Sequence, residues 1–169
     1  RSLFVDSQIS FILASRLMLA HDDNHFAELQ TRVRMMQKEM QSGPILSAPS
    51  YPDECWVYDN TGALAAMRLW DSLSGEDHSA FANQWLHQAK QSLIDQKSGL
   101  LVSSYKLNGQ TLDGPEGSTL WFSLHNLLLI DPEFARGQYE IARKELKKDV
   151  LGFVVAREWP KGHGRLDID

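Results

Sequence analysis

Three stretches of this chain are apolar around most of a helical circumference. Each is followed, after a short polar break, by an amphipathic stretch of similar length. That alternation constrains the fold more than any other feature. A helix with apolar residues on all sides must be surrounded by protein, whereas one with a single apolar stripe lies at the outside.

The first pair runs from about Asp6 to Ala20 and from about His25 to Gln41. Ile9, Phe11, Ile12, Leu13, Leu17, Met18 and Leu19 encircle the former, and Phe26, Leu29, Val33, Met36 and Met40 form a stripe on the latter. The break His21-Asp22-Asp23-Asn24 offers Asp23 or Asn24 as N-cap, and Gly43-Pro44 ends the second helix. The second pair spans Asn60–Leu73 and His78–Gln96, joined by Ser74-Gly75-Glu76-Asp77. The third spans Ser118–Ile130 and Asp131–Val150, where Asp131-Pro132 is a strong helix start and lysines 144, 147 and 148 suit the negative end of the dipole.

Inner-helix starts fall near residues 6, 60 and 118, about 54 and 58 residues apart, which marks a structural repeat. Short turns join the helices within each pair, and long linkers, Pro44–Asp59, Ser98–Gly117 and Leu151–Asp169, follow each pair. In the second linker, Leu100–Leu107, Asn108-Gly109 and Gln110–Leu112 read as a small β-hairpin with a type I′ turn. Phe153–Ala156 reads as a strand in the third. Setting such hairpins side by side gives an inner and an outer ring. The expected fold is all-α: three helical hairpins (about 6–41, 60–96 and 118–150) forming about half of an (α/α)6 toroid, with a small β-hairpin in a long rim loop. The inner faces of Trp70, Trp121 and Phe122 are then expected to lie open toward the axis. They await the rest of the toroid or a homo-oligomeric partner. The chain is expected to be a fragment of a longer protein.

Composition narrows the function classes. With 43% apolar and 23% charged residues, disorder is excluded. One cysteine, Cys55, permits no internal disulfide and no multi-cysteine zinc site. A net charge of −5 without a basic stripe argues against nucleic acid as a partner. Leu3–Ala20 is interrupted by Asp6, Ser7, Gln8, Ser10, Ser15 and Arg16, so it is too polar to span a bilayer and lacks a signal peptide's basic start. Metal-binding and phosphate-loop patterns are absent, and neither metal nor cofactor is expected.

In the toroid arrangement the long linkers and the N-termini of the inner helices share one rim, where function would concentrate. The richest stretch is Tyr51-Pro52-Asp53-Glu54-Cys55-Trp56-Val57-Tyr58-Asp59-Asn60. Asp53, Glu54 and Asp59 are the candidate acid/base groups, since burial can move carboxyl pKa values apart. Trp56, Tyr58 and Asn60 would line a substrate site, and Asp59 or Asn60 can instead cap the inner helix. Asp113 and Glu116 in Asp113-Gly114-Pro115-Glu116-Gly117-Ser118 are candidates for substrate hydroxyls, with Ser118 as N-cap. Tyr105 would lean over the rim from the hairpin. His125 would face the axis or a neighbouring helix. Arg157 would hold an anion or pair with Glu158, near Asp167 and Asp169. Cys55 lacks a nearby His or Lys in sequence to activate it.

Tyr51–Leu64, Asp113–Ser118 and Asp131–Gln138 resemble the linalool dehydratase-isomerase-like bacterial proteins. These are α/α toroids related in architecture to six-hairpin glycosidases. The resemblance implies a polar-rimmed central cavity, a complete protein extending beyond both Arg1 and Asp169, and relatives at the bacterial membrane or cell envelope. A membrane anchor would then lie in a segment outside this sequence. The resemblance also implies two cysteines near the linker before an inner helix. This chain has Cys55 alone, with Asp53 and Asp59 at what look like the other positions. Carboxylates there suit glycoside chemistry better than terpene dehydration. The leading expectation is a hydrolase or lyase acting on a hydroxylated substrate such as a saccharide. The alternatives are a non-catalytic binding domain and a cofactor-free dehydratase/isomerase.

Overall fold

A computed structural model describes residues 2–162. Asp167 and Asp169 lie outside the described residues. Six helices follow one another: α1 (Leu3–Leu19), α2 (Asp23–Ser42), α3 (Val57–Ser74), α4 (Ser79–Ser92), α5 (Gly117–Leu127) and α6 (Pro132–Leu146). As the alternation requires, α1, α3 and α5 form an inner layer. Helix α3 packs between the other two, α2 lies over α1 and α3, and α6 lies over α5.

Small residues let the inner helices approach. Helix α1 turns Leu3, Ser7, Ser10, Ala14 and Leu17 inward, and a Cβ at Gly62 of α3 would stand 3.2 Å from Ser7 Oγ. The buried hydroxyls are satisfied locally: Ser7 donates to the Phe4 carbonyl (2.8 Å), Ser10 to Asp6 (2.7 Å) and Ser123 to Thr119 (2.8 Å).

Several boundaries depart from the sequence expectation. The cap of α2 is Asp22, which accepts from His25 N at 2.9 Å, rather than Asp23 or Asn24. Helix α3 begins at Val57, so Asp59 and Asn60 lie within its first turn instead of capping it. The α3–α4 turn is clamped by Asp71, which accepts from His78 Nδ1 (2.5 Å), His78 N (2.9 Å) and Arg68 Nη1 (2.6 Å). That clamp delays the start of α4 to Ser79. Gly75 ends α3 in the left-handed region, φ 77°, as a C-cap glycine should. Asp131 caps α6 from Phe134 N at 3.0 Å, with Pro132 at the first position.

The last helix stops at Leu146, four residues short of the expected Val150. Lys147–Val150 instead forms one strand of an antiparallel hairpin with Phe153–Ala156. Its two-residue turn, Leu151-Gly152, has φ 48° and 85°, the primed geometry that matches strand twist. The β-branched Val150, Val154 and Val155 favour this pairing.

The other sheet has three strands in the order Cys55–Trp56, Ser104–Tyr105, Thr111–Asp113. The expected hairpin is present, but its turn differs. Gly109 N donates to the Lys106 carbonyl at 2.8 Å. Only Gly109 of the loop has positive φ (88°), so the connection is a three-residue loop with a glycine bulge and not a type I′ turn. The strand Cys55–Trp56 was not anticipated. It ties the first linker to the second immediately before α3.

Trp70 is fully buried, contrary to the expectation that it faces an open axis. Its ring packs on Phe26 of α2 at 4.6 Å. Trp121 is half-buried, and Phe122 is 61% exposed. Among the described residues, no helix is long and apolar enough to cross a membrane.

Candidate functional site

A tight turn delivers the first linker to α3. Ser50 N and Tyr51 N both donate to the Glu54 carbonyl (3.0 and 3.3 Å), and Asp53 takes up φ 55° at the tip. Beyond it, Cys55–Trp56 pairs with Ser104–Tyr105, and Val57 N donates to the Ser103 carbonyl at 3.0 Å. Two consecutive residues of the new helix, Tyr58 and Asp59, are thereby set at the rim.

They line a cleft of about 280 Å³. Its walls are aromatic. Phe4 from α1, Tyr58 from α3 and Phe122 from α5 form a chain of rings, with centroids 6.1 and 5.4 Å apart, and Tyr51 and Trp56 complete the wall. The polar groups of the lining are the Asp59 carboxyl, the Tyr58 hydroxyl and indole of Trp56, Ser118 and Thr119.

Asp59 is only 4% exposed. Burial pushes its carboxyl up to about 6, the nearby Glu54 charge pushes the same way, and a hydrogen bond with Ser50 opposes both. It therefore holds or releases a proton near neutral pH, which an acid/base group requires. The Tyr58 phenol is raised by burial and then by Asp59, against a hydrogen bond with Gln8.

The other candidates have different placements. Glu54 is half-buried, and its Oε1 accepts from Trp56 Nε1 at 2.6 Å, so it orients one wall of the cleft. Asp53 is exposed at the turn tip and does not line the cleft. Asn60 is buried and holds the linker: its Oδ1 accepts from Ala48 N (3.0 Å), and its Nδ2 donates to the Ala48 and Trp56 carbonyls (3.2 and 3.0 Å).

Tyr105 does not lean over the rim. It is fully buried, its hydroxyl 2.9 Å from Ser47 Oγ, which also accepts from Trp85 Nε1 at 3.1 Å. Burial raises its phenol far above the usual range. Asp113 accepts from Ser104 Oγ at 2.7 Å and so braces the sheet. The backbone N–H of Glu116 donates to Ser103 Oγ at 3.0 Å. His125 is exposed on α5 and borders a separate groove with Trp121, Arg136 and Tyr139. Ser118 is not the N-cap of α5. Its N–H and hydroxyl both meet the Glu158 carboxylate, at 3.0 and 2.6 Å.

Cys55 is buried, and its thiol is pushed up to about 12, first by burial and then by the charges of Asp53, Asp59 and Glu54. A thiol so held stays protonated and is a poor nucleophile. Among the described residues, no cluster of His, Cys, Asp or Glu could hold a metal ion.

Sequence reasoning did not assign Phe4, Thr119 or Phe122 to the cleft, and it gave Ser118 a capping role. One signal was available: each inner helix opens with an aromatic residue in its first two turns, Phe4, Tyr58 and Phe122.

No protein-family model matches the sequence, and no curated protein matches it. Among solved structures, the fold is similar to the crystal structure of D-mannose isomerase, with a TM-score of 0.71 at 10% identity, over 86% of this chain and 40% of that one. That neighbour has an α/α-toroid-type fold, so the three hairpins are an arc of such a toroid. The chain spans 40% of the length of the chain it matches.

Proposed function

We propose that this chain carries the substrate cleft of a sugar-processing α/α-toroid enzyme, with Asp59 as its acid/base group. The observation that carries the reading is a buried carboxyl, raised to about 6, at the wall of an aromatic cleft. Aromatic faces stack on the apolar faces of sugar rings, while the few polar groups select hydroxyls. A protonated Asp59 would donate to a ring, glycosidic or carbonyl oxygen; its conjugate base would accept a proton from carbon or water.

Asp59 is the one carboxylate among the described residues that lines the cleft. Glycoside hydrolysis needs two flanking carboxyl groups, and no second carboxylate among the described residues lines the cleft. Proton transfer of the isomerase or lyase kind needs no second carboxylate. The single carboxylate and the fold shared with a sugar isomerase favour that branch. Asp53, Asp113 and Glu116 stand outside the cleft lining and are assigned no role in it.

Terpene dehydration, the specific activity of the linalool enzyme, draws no support from Cys55, whose thiol is buried and protonated. A purely binding role remains distinct in its consequences. Asp59→Asn would then leave both sugar affinity and a zero turnover unchanged.

The test is turnover of aldoses, ketoses and simple glycosides by wild type and Asp59→Asn, with sugar binding followed by isothermal titration calorimetry. The expected result is loss of at least 100-fold in turnover with binding retained, and a wild-type pH profile with a limb near 6. Full activity in Asp59→Asn would overturn the proposal.

A further inference from the structure

Ser50 enters the tight turn before α3 and is fixed there from both sides. Its N–H donates to the Glu54 carbonyl at 3.0 Å, and the carbonyl of the preceding Pro49 accepts from Leu3 N at 3.4 Å. Its side chain is buried, 6% exposed, and its Oγ accepts from the backbone N–H of Phe4 at 3.2 Å. Phe4 lies in the first turn of α1, where N–H groups have no partner within the helix, and Ser2 provides no side-chain cap. The linker supplies the acceptors that this helix start lacks.

That contact decides which way the Ser50 hydroxyl points. A serine hydroxyl has one proton and two lone pairs. The Phe4 amide can only donate, so it occupies a lone pair and leaves the proton for an acceptor elsewhere. The Asp59 carboxyl is hydrogen-bonded to Ser50 and is that acceptor. Both groups are buried, so water competes little for the bond. Asp59 lines the cleft and Ser50 does not, so the hydroxyl reaches the carboxyl from behind.

We propose that Ser50 is the positioning residue of Asp59: its hydroxyl, turned by the Phe4 N–H, donates to one carboxylate oxygen and leaves the other for substrate in the cleft. The inference rests on Asp59 as the acid/base group. The run of donors begins at the positive end of α1, so the peptide dipoles of that helix reinforce the donation. The same helix holds the adjacent residue, since Gln8, one turn after Phe4, hydrogen-bonds the Tyr58 hydroxyl.

The surroundings offer no substitute for Ser50. The titratable groups around Asp59 are Glu54 and Cys55 of the linker, Tyr58 on α3 and Tyr105 on the sheet, and none of them is a cation. Helices α1 and α5 bring no charged group to the cleft lining. Burial and Glu54 both favour the neutral acid, and the Ser50 bond opposes them. A bond to an ionised carboxylate is stronger than one to the neutral acid, so this donor selectively supports the base form.

Carbon-13 NMR of aspartate-labelled protein follows the Asp59 carboxyl directly, with its resonance identified by its loss in Asp59→Asn. In Ser50→Ala the ionised form loses its donor. The carboxyl should then titrate above the wild-type value of about 6, by about 0.5–1 pH unit. Ser50→Cys is close in size and carries only a weak donor, so it should move the titration the same way, and it stands in if the alanine variant does not fold. A titration that stays in place or moves down in the folded variant would overturn the inference. This readout needs no turnover, so it separates the two readings. A pH–rate limb that stays near 6 while the carboxyl moves would remove Asp59 from the chemistry, and the positioning role with it; an unmoved carboxyl would overturn the role of Ser50 alone.

Discussion

The side-chain amide of Asn60 grips both backbone groups of Ala48, accepting from its N–H at 3.0 Å and donating to its carbonyl at 3.2 Å. An amide placed this way substitutes for a strand partner. It fastens the first linker to the opening turn of α3, beside the residue that carries the proposed chemistry.

Replacing Asn60 with Ala should therefore cost about 2–4 kcal/mol, because it strands buried backbone groups of Ala48 without partners. Urea unfolding followed by circular dichroism would measure it. A loss under about 0.5 kcal/mol would mean that the linker is held elsewhere.

Asp59 makes stability depend on pH in an unusual direction. Its folded pKa, about 6, lies above the ordinary 3.8. The stability associated with its protonated form is fully present below 3.8 and is lost as pH rises through 6. The accumulated penalty at pH 7 is about 2–3 kcal/mol. Asp59→Asn removes the ionisation, so it should be more stable than wild type at pH 7, and the difference should shrink toward pH 4. Denaturant curves for both proteins across that range check the sign.

Glu158 caps a helix from forty residues away. Its carboxylate takes the N–H and hydroxyl of Ser118, while its carbonyl accepts from Gly117 N at 2.7 Å. Glu158→Ala should lower stability by about 1 kcal/mol through loss of the cap. Gly117→Ala should cost about 1–3 kcal/mol, since its Cβ would fall 2.6 Å from the Arg157 carbonyl oxygen. Thermal melts of both variants would rank them, with the glycine substitution the more damaging.

Cys55 should resist thiol reagents in the native protein and react only as the chain unfolds. Its side chain is buried and its thiol is raised to about 12. Cys55→Ala should leave turnover of the wild-type substrate within about twofold. Rapid labelling of the native protein by an aromatic disulfide would contradict the buried thiol, and loss of turnover would revive the cysteine-dependent dehydratase.

The carboxylates of the first linker mark how far sequence reading reaches into the site. Asp53, Glu54 and Asp59 look equivalent in a run of acidic and aromatic residues. Their environments differ because of distant partners. Asp53 sits at an exposed turn tip, Glu54 meets the Trp56 indole, and Asp59 is enclosed by Ser50 and by rings from α1 and α5. Tyr105 carried the same ambiguity: the Asn108-Gly109 turn signal placed it in a hairpin strand, but its hydroxyl's partner, Ser47, lies 58 positions away.

The order of helices, by contrast, was written locally. Apolar spacing within four residues distinguishes an encircled helix from a striped one, and Gly43, Gly75 and Asp131-Pro132 act on the turn they occupy. Those signals alone determined three hairpins, their inner and outer members, and the rim where the linkers gather. Tertiary structure alone decided that Lys147–Val150 leaves the helix to pair with Phe153–Ala156, that Glu158 caps α5, and that Asp59 is the carboxyl that loses its water. The physical reason is range: periodicity and capping act over one or two helical turns, whereas desolvation depends on whichever remote side chains close over a group.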